Sequence, residues 1–218
     1  MSVNDRNNHL NAVVFDLGGV VAEISHSWED AAKVAGVACK NLSDGHTRLA
    51  ALEVFDTYQA AGISLDEYLA RLAEFVGCDP ECALSVHNGI LVAEYPGVKE
   101  LIEELLYAGF RTGCLSNTNQ PHWEVFTGQY PTVHLLQMPM ASHLVGINKP
   151  APEIFKLYCE QYGLDPSEIA YFDDYPINVE AARECGWNAF RIDPSQDTPT
   201  QMREYLASLG VNLTNVIA

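Results

Sequence analysis

Asp16 is the first of four groups in this chain whose residue types and order suit phosphoryl transfer. It directly follows the apolar run 12–15 and precedes a glycine pair, which predicts a carboxylate at the end of a buried strand. Burying a carboxylate is costly unless a cation or hydrogen-bond donors receive it. Three later signals supply such partners: Ser116-Asn117, Lys149-Pro150 and Asp173-Asp174. A nucleophilic carboxylate, a hydroxyl, a lysine and an acidic pair together predict a phosphoryl-transfer site.

Each group taken alone also has an ordinary structural explanation. A carboxylate or serine after a strand often caps the next helix, which applies to Asp16 and to the loop 116–119. The prolines that follow Lys149 fix its loop and favour a positioned cation. The adjacent carboxylates of Asp173 and Asp174 repel each other, and a bound divalent cation relieves that repulsion. The interpretation therefore depends on the order and number of the groups together.

Alternating strand and helix patterns must position these groups. Strands are predicted at 12–15, 110–115, 169–172 and 188–192, and helices at 98–108, 151–162, 177–185 and from about 198 onward. This alternation predicts an α/β fold, a Rossmann-like doubly wound parallel sheet. Ligands of such sheets bind at the carboxyl ends of the strands, so Asp16, Ser116 and the acidic pair are expected at one edge.

Residues 22–94 differ from the rest because they show helical patterns and no convincing strand. The clearest helix follows the capping-box spacing from Ser64 to Glu67, and another start is predicted at Asp79. We therefore expect an inserted all-helical cap over 22–94 and a catalytic core formed by 1–21 and 95–218.

Composition permits an enzyme and argues against several other classes. The 218 residues carry 12 Lys+Arg against 29 Asp+Glu, a net charge of −17, which disfavours binding to nucleic acid or to an anionic membrane. An anionic substrate must then be received by local positive charge. No apolar run approaches the roughly 20 residues of a membrane span. The expected partner is a small phosphorylated metabolite, with no nucleic acid and no membrane.

The cysteines and the N-terminus indicate a cytoplasmic location. Residues 1–11 lack the apolar segment of a secretory signal. The six cysteines show no disulfide-framework spacing, which predicts reduced thiols. The histidines show no ligand-like spacing with them, which argues against zinc chemistry.

The chain resembles the haloacid dehalogenase superfamily of hydrolases. Four segments are similar to the four ordered motifs of that superfamily, and the insertion lies where its helical cap lies. The segments are Phe15-Asp16-Leu17-Gly18-Gly19-Val20, Leu115-Ser116-Asn117, Lys149-Pro150 and 172–179. The segments 16–18 and 116–119 further resemble the branch that includes α-D-glucose-1-phosphate phosphatases.

The resemblance implies a Mg²⁺-dependent phosphatase with a covalent intermediate. Asp16 would attack phosphorus and form an aspartyl-phosphate, which divides one difficult step into two. The Asp16 carboxylate, the Gly18 carbonyl and Asp174 would hold Mg²⁺, which screens the repulsion between the anionic nucleophile and the anionic substrate.

The remaining motif residues would bind the phosphate group. The Ser116 hydroxyl and the Asn117 backbone would hold its non-bridging oxygens, and Lys149 would neutralise its charge. Asp173 would orient Lys149 or bind the metal through water. The cap would exclude water and select the leaving group.

Gly18 departs from this pattern. Phosphatases of the superfamily usually carry a second aspartate at this position, which protonates the leaving group, and such catalysis is typically worth roughly 10²–10⁴-fold. Three explanations compete. Glu23 or His26 could substitute; the substrate could have a good leaving group, as an anomeric sugar phosphate does; or turnover could be so slow that the protein is a binder.

Other function classes are distinguished by the same residues. A dehalogenase-like hydrolase also lacks the second aspartate, but it attacks carbon without a divalent cation, so the acidic pair counts against it. A receiver domain carries its acidic pair on the first strand and has no room for this insertion. A catalytically silent phosphate-binding protein is supported by Gly18 and opposed by the other motif residues. The sequence leaves open the oligomeric state and the substrate, because in this fold cap side chains that the sequence cannot place select the substrate. Trp28, Arg48 and Tyr58 are possible contacts from the cap, although packing or surface exposure explains each of them equally simply.

Overall fold

A computed structural model describes residues 10–25, 27–38 and 45–213, with 45–48 described for the backbone alone. The strands in chain order are β1 (Ala12–Phe15), β2 (Ala22–Ile24), β3 (Leu91–Glu94), β4 (Arg111–Ser116), β5 (Met138–Ala141), β6 (Ile169–Asp173) and β7 (Asn188–Arg191). Five of them form a sheet in the order β5-β4-β1-β6-β7, and each neighbouring pair is parallel. β1 lies at the centre of this sheet.

Four helices of the described residues lie between β2 and β3, and the later helices alternate with the strands of the five-stranded sheet. The helices are α1 (Trp28–Ala35), α2 (Gly45–Gln59), α3 (Leu65–Val76), α4 (Pro80–Asn88), α5 (Val98–Tyr107), α6 (Gln120–Gln129), α7 (Ser142–Val145), α8 (Pro152–Tyr162), α9 (Pro176–Glu184) and α10 (Thr198–Ser208). The strands and helices predicted in the second half are present, with ends that differ by one residue. The sequence did not predict β5, which is an edge strand of four residues that contains Pro139.

The two faces of the sheet are both covered, as the alternation predicted. Successive side chains of a strand point to opposite faces. Val13 and Phe15 accordingly belong to one buried cluster with residues of α5 and α10. Ala12 and Val14 belong to a second cluster with residues of α8 and α9. The doubly wound parallel sheet is therefore confirmed.

Helices α1 to α4 form a third hydrophobic cluster, whose members include the fully buried Tyr68 and Val76. The expectation that 22–94 contains no strand is wrong. β2 and β3 pair as a short antiparallel ribbon at the two ends of this helical segment. Strands of three and four residues are too short for an alternation pattern to reveal them.

Two expectations from composition can be compared with the described residues. Among them, no helix is long and apolar enough to cross a bilayer. The five cysteines that the structure describes are all free thiols.

Candidate active site

Three carboxylates converge at the carboxyl edge of the sheet. Asp16 follows β1, Asp173 ends β6, and Asp174 comes next, and the sheet places β1 beside β6. One oxygen from each of the three carboxylates lies within 4.8 Å of the others. Carboxylate oxygens at such spacing can hold a hard divalent cation such as Mg²⁺. The predicted meeting of these residues is thus present in the structure.

Lys149 joins this cluster as its buried counter-charge. Its Nζ lies 3.1 Å from Asp16 Oδ2 and 2.7 Å from Asp173 Oδ2, and its side chain is fully buried. Burial lowers the pKa of Lys149, but the charges of Asp16 and Asp173 raise it further, so that the pKa lies above its ordinary value. Lys149 is therefore a fixed ammonium at the base of the site.

The environment of Asp16 raises its pKa toward neutral pH. Burial raises the pKa of Asp16 to about 7, and repulsion from Asp173 and Asp174 adds to this, whereas Lys149 lowers it. The Leu17 N–H donates to Asp16 Oδ1 at 2.7 Å and fixes the carboxylate. A divalent cation in the acidic cluster would offset the repulsion and stabilise the ionised nucleophile.

Asp173 is saturated with hydrogen bonds from the protein. Its Oδ2 accepts from the Tyr171 hydroxyl at 2.5 Å and from Asn178 Nδ2 at 3.2 Å, in addition to Lys149. Its Oδ1 accepts from the Tyr175 N–H at 2.8 Å and from Asn178 Nδ2 at 3.1 Å. With these partners, Asp173 is built to hold Lys149. Sequence reasoning gave Tyr171 and Asn178 no role, although Tyr171 lies two residues before Asp173 and so shares its side of β6.

The loop after β4 is tied to the Lys149 loop. Ser116 ends β4 and is buried. The Asn117 side chain donates from Nδ2 to the Lys149 carbonyl oxygen at 2.9 Å, and its Oδ1 accepts from the Lys149 N–H at 2.8 Å. The sequence predicted a role for the Asn117 backbone, and the structure gives its side chain a second one, which is to position Lys149.

Helix α2 reaches the same loop from the side of the helical segment. Gln59 Nε2 donates to the Asn117 carbonyl oxygen at 3.1 Å. Ser142 Oγ accepts from the Thr118 N–H at 3.0 Å and donates to the Gln59 carbonyl oxygen at 2.8 Å. These bonds link the helical segment to the proposed phosphate-binding loop, and the sequence did not reveal them.

A buried histidine pair forms a second link between the helical segment and the core. The rings of His87 on α4 and His122 on α6 stack with their centroids 3.9 Å apart. His87 contacts the Tyr68 hydroxyl through Nδ1 at 2.9 Å and Asn119 Oδ1 through Nε2 at 3.0 Å. His122 contacts Asn119 Nδ2 through Nδ1 at 3.3 Å and the His87 carbonyl oxygen through Nε2 at 2.9 Å. Every ring nitrogen thus has one partner when both rings are neutral.

A cavity of about 300 Å³ opens beside the acidic cluster, between the helical segment and Asp174. Trp28 lines this cavity, in agreement with its expected place in the cap. Tyr58 instead stacks on Tyr68 at 4.5 Å inside the helical cluster, which is a packing role. The side chain of Arg48 and the whole of His26 lie outside the described residues. Glu23 is exposed on β2.

Comparison with known proteins gives consistent matches over most of the chain. The haloacid dehalogenase-like hydrolase family matches residues 10–186. A phosphatase of Mycobacterium tuberculosis is 27% identical over 94% of this chain and 97% of its own length. A D-ribitol-5-phosphate phosphatase of Bacteroides thetaiotaomicron is 26% identical over 91% of this chain and 100% of its own.

Solved structures show the same fold. A haloacid dehalogenase family enzyme from Bacteroides thetaiotaomicron, in complex with magnesium and inorganic phosphate, superposes with a TM-score of 0.72 at 23% identity. The superposition covers 89% of this chain and 100% of that one.

Proposed function

The chain belongs to the haloacid dehalogenase-like hydrolase family, and we propose that within it the protein is a Mg²⁺-dependent phosphatase of a small phosphorylated metabolite. The observation that carries this proposal is the cluster of buried Asp16, Lys149 and Asp173 with half-buried Asp174 at the carboxyl edge of the sheet. A protein with a net charge of −17 repels anions, so a buried lysine at this edge is a specific means of receiving one.

Asp16 is the proposed nucleophile. One of its oxygens would form the bond to phosphorus, and the aspartyl-phosphate would then be hydrolysed by water. The Leu17 N–H and Lys149 hold the carboxylate in place before the attack. Such fixed positioning contributes much of the rate enhancement, because the anionic carboxylate must approach the anionic phosphate group.

The donor set fits Mg²⁺. The proposed ligands are the Asp16 carboxylate, the Gly18 carbonyl and Asp174, all of which offer the oxygen atoms that this ion prefers. Burial raises the pKa of Asp16 most, and repulsion from Asp173 and Asp174 adds to this, so a cation bound among the three carboxylates would favour the ionised nucleophile. When bound, Mg²⁺ supplies the charge that stabilises the transferring phosphoryl group.

The phosphate group itself would be bound by three further groups. These are the Ser116 hydroxyl, the Asn117 backbone N–H and the Lys149 ammonium, with Asp173 keeping Lys149 in place. Residues 22–94 are proposed as the cap that covers the site, since Gln59 reaches the Asn117 loop from that segment. Two phosphatases match nearly the whole chain at 27% and 26% identity, and a 2-haloacid dehalogenase matches it at 24%. The acidic pair Asp173-Asp174, which suits a divalent cation, supports phosphatase chemistry over dehalogenation.

The proposal is tested by measuring phosphate release from a panel of small phosphate esters, sugar 1-phosphates included, with Mg²⁺ and with a chelator. We expect turnover that requires Mg²⁺ and is abolished in Asp16→Asn, which keeps the shape of the side chain and removes its charge. Asp66→Asn, on the exposed side of α3, is the matched control and should retain activity. Equal activity in Asp16→Asn and the unmodified chain would exclude the covalent assignment. Phosphate binding without turnover of any ester would identify a silent binding protein.

A further inference from the structure

We propose that this site cleaves phosphates whose leaving group departs as a stable anion, such as aryl, enol, acyl or anomeric phosphates, and disfavours ordinary alkyl phosphates. The inference rests on the proposed phosphatase function and narrows its substrate class. Two observations carry it: the Ile24 side chain lies next to Gly18, and apolar side chains line much of the adjacent cavity.

Ile24 occupies the space beside Gly18. A Cβ atom at position 18 would lie 3.3 Å from Ile24 Cδ1 and 3.4 Å from Ile24 Cγ2, in a gap that a longer side chain cannot enter unless Ile24 moves. Among the described residues, and apart from chain neighbours, no other heavy atom comes within 4 Å of that Cβ position. The backbone of Gly18 lies outside the left-handed region, so this glycine is not required by its φ angle. An apolar side chain thus lies where a proton-donating side chain at position 18 would extend.

The cavity beside Asp174 continues this apolar surface. Ile24, Trp28, Phe55 and Ile90 line it. A leaving group in this cavity would therefore lie against methyl groups and ring faces.

The two serine hydroxyls of the cavity already donate their protons elsewhere. Ser25 Oγ donates to the Gly89 carbonyl oxygen at 2.9 Å, and Ser27 Oγ donates to Asp30 Oδ2 at 2.7 Å. The other proton-bearing side chains of the cavity wall are Glu29, Asp174 and Tyr175, and Asp174 is a proposed metal ligand. Glu29 and Tyr175 are therefore residues that the experiment must test directly.

The chemical consequence concerns the bond that breaks. An Asp16 oxygen forms a bond to phosphorus while the bond between phosphorus and the leaving oxygen breaks, and that electron pair departs with the leaving oxygen. Without a proton donor, the leaving group departs as an anion and takes its proton from water afterwards. Water then attacks the phosphorus of the aspartyl-phosphate, the electron pair of the P–O bond returns to the Asp16 carboxylate, and the protons of water pass to phosphate and solvent. Alkoxides are poor leaving groups under these conditions, because acid catalysis is typically worth roughly 10²–10⁴-fold.

The test uses three phosphates of similar shape whose leaving groups differ in basicity: 4-nitrophenyl, phenyl and benzyl phosphate. With Mg²⁺ present, we expect kcat/KM to fall in that order, by roughly 10²-fold or more from 4-nitrophenyl to benzyl phosphate. A difference of less than about tenfold would overturn the inference, because an enzyme that donates a proton removes most of this dependence. If no aryl phosphate is turned over, or if Asp16→Asn turns them over equally well, the proposed function itself fails.

A gain-of-function pair tests the role of position 18. The double variant Gly18→Asp/Ile24→Ala supplies a carboxyl group and the space for it, and should raise turnover of benzyl phosphate relative to 4-nitrophenyl phosphate. Gly18→Asn/Ile24→Ala has the same shape without a transferable proton and should not. An equal gain in both variants would contradict the inference.

Three single variants test the other candidate proton donors, which are Glu29 and Tyr175 of the cavity wall and His26, a candidate from the sequence. In His26→Ala, Glu29→Gln and Tyr175→Phe we expect the ratio between benzyl and 4-nitrophenyl phosphate to stay unchanged. A selective loss of benzyl phosphate turnover in any of these variants would identify that residue as the proton donor and overturn the inference.

Discussion

Gly19 and Asp174 lie so close together that no side chain fits at position 19. A Cβ atom there would lie 2.6 Å from Asp174 Oδ2 and 2.7 Å from its Cγ. Gly19 also has a φ of 72°, in the left-handed region that favours glycine. The turn that follows Asp16 is thus in close contact with the side chain of Asp174, which is a proposed metal ligand. The geometry of this turn determines where the Asp174 carboxylate lies.

Gly19→Ala is therefore expected to displace the Asp174 carboxylate and weaken Mg²⁺ binding by roughly 10–100-fold, the range seen when the support of a metal ligand is removed. The measurement is the Mg²⁺ concentration that gives half-maximal phosphate release. Gly36→Ala is the matched control, because Gly36 has a φ of 68° and no atom of the described residues lies within 4 Å of its Cβ position. It should lose about 1 kcal/mol of stability from backbone strain and leave the Mg²⁺ dependence unchanged. Equal Mg²⁺ dependence in both variants would show that Asp174 does not bind the ion.

Asn117→Ala should lower kcat, because both backbone polar groups of Lys149 are bonded to the Asn117 side chain. A misplaced catalytic group costs up to about 100-fold, so we expect a loss of roughly 10–100-fold with a smaller change in KM. Asn188→Ala removes a comparable side-chain clamp, from Nδ2 to the Ser167 and Ile169 carbonyl oxygens, far from the cluster. The two variants should lose similar stability in urea unfolding, and only Asn117→Ala should lose turnover. Full activity in Asn117→Ala would contradict the positioning role.

Tyr171→Phe should reduce turnover by roughly tenfold, since a hydrogen bond to a charged group is worth about 1.5–3 kcal/mol. The Tyr171 hydroxyl donates to Asp173 at 2.5 Å and accepts from Lys149 at 2.9 Å, so its removal loosens the pair that places the ammonium. Tyr158→Phe is the control, because Tyr158 is equally buried and its hydroxyl donates to the Met138 carbonyl oxygen at 2.7 Å. Both variants should be less stable, and a loss of kcat confined to Tyr171→Phe is the expected result. Equal kcat values in the two variants would show that the Tyr171 hydroxyl does not help to position Lys149.

The histidine pair predicts a loss of stability in mild acid. Burial lowers the pKa of His122 to about 4, and burial with repulsion from His122 lowers the pKa of His87 well below its ordinary value. In the unfolded chain both rings bind protons below about pH 6.5, so the unfolded state binds more protons and stability falls as the pH decreases. For His122 alone the loss between about pH 6.5 and pH 4 reaches about 3 kcal/mol.

This dependence is best measured by urea unfolding in the Asp16→Asn background. The raised pKa of Asp16 has the opposite sign, because the folded state then binds the additional proton and stability falls as the pH increases toward 7. His122→Asn should flatten the acid dependence, whereas His134→Asn, at an exposed position, should leave it unchanged. An equally steep dependence in His122→Asn would contradict the buried neutral pair.

The fold class and the central residues of the proposed site could be predicted from the sequence, because the pattern that reveals them is local in the chain. A polar residue directly after an apolar strand pattern is visible in the chain itself, as with Asp16, Ser116 and Asp173. The rule that parallel strands share one carboxyl edge then brings these residues together without knowledge of how the helices pack. Lys149 was found through its place in the order of the groups and through the prolines of its loop.

Contacts between distant segments were decided by tertiary structure alone. His87 stacks on His122, Ile24 covers Gly18, and the Asn117 side chain clamps the backbone of Lys149. None of these pairs has a sequence signal, because each depends on the angle and register at which separate elements pack. Burial patterns predict that a residue lies inside, and they do not specify which neighbour it meets. The sequence by itself determined the sheet and the edge that carries the proposed site, whereas the surroundings of each proposed site residue depended on side-chain packing between elements far apart in the chain.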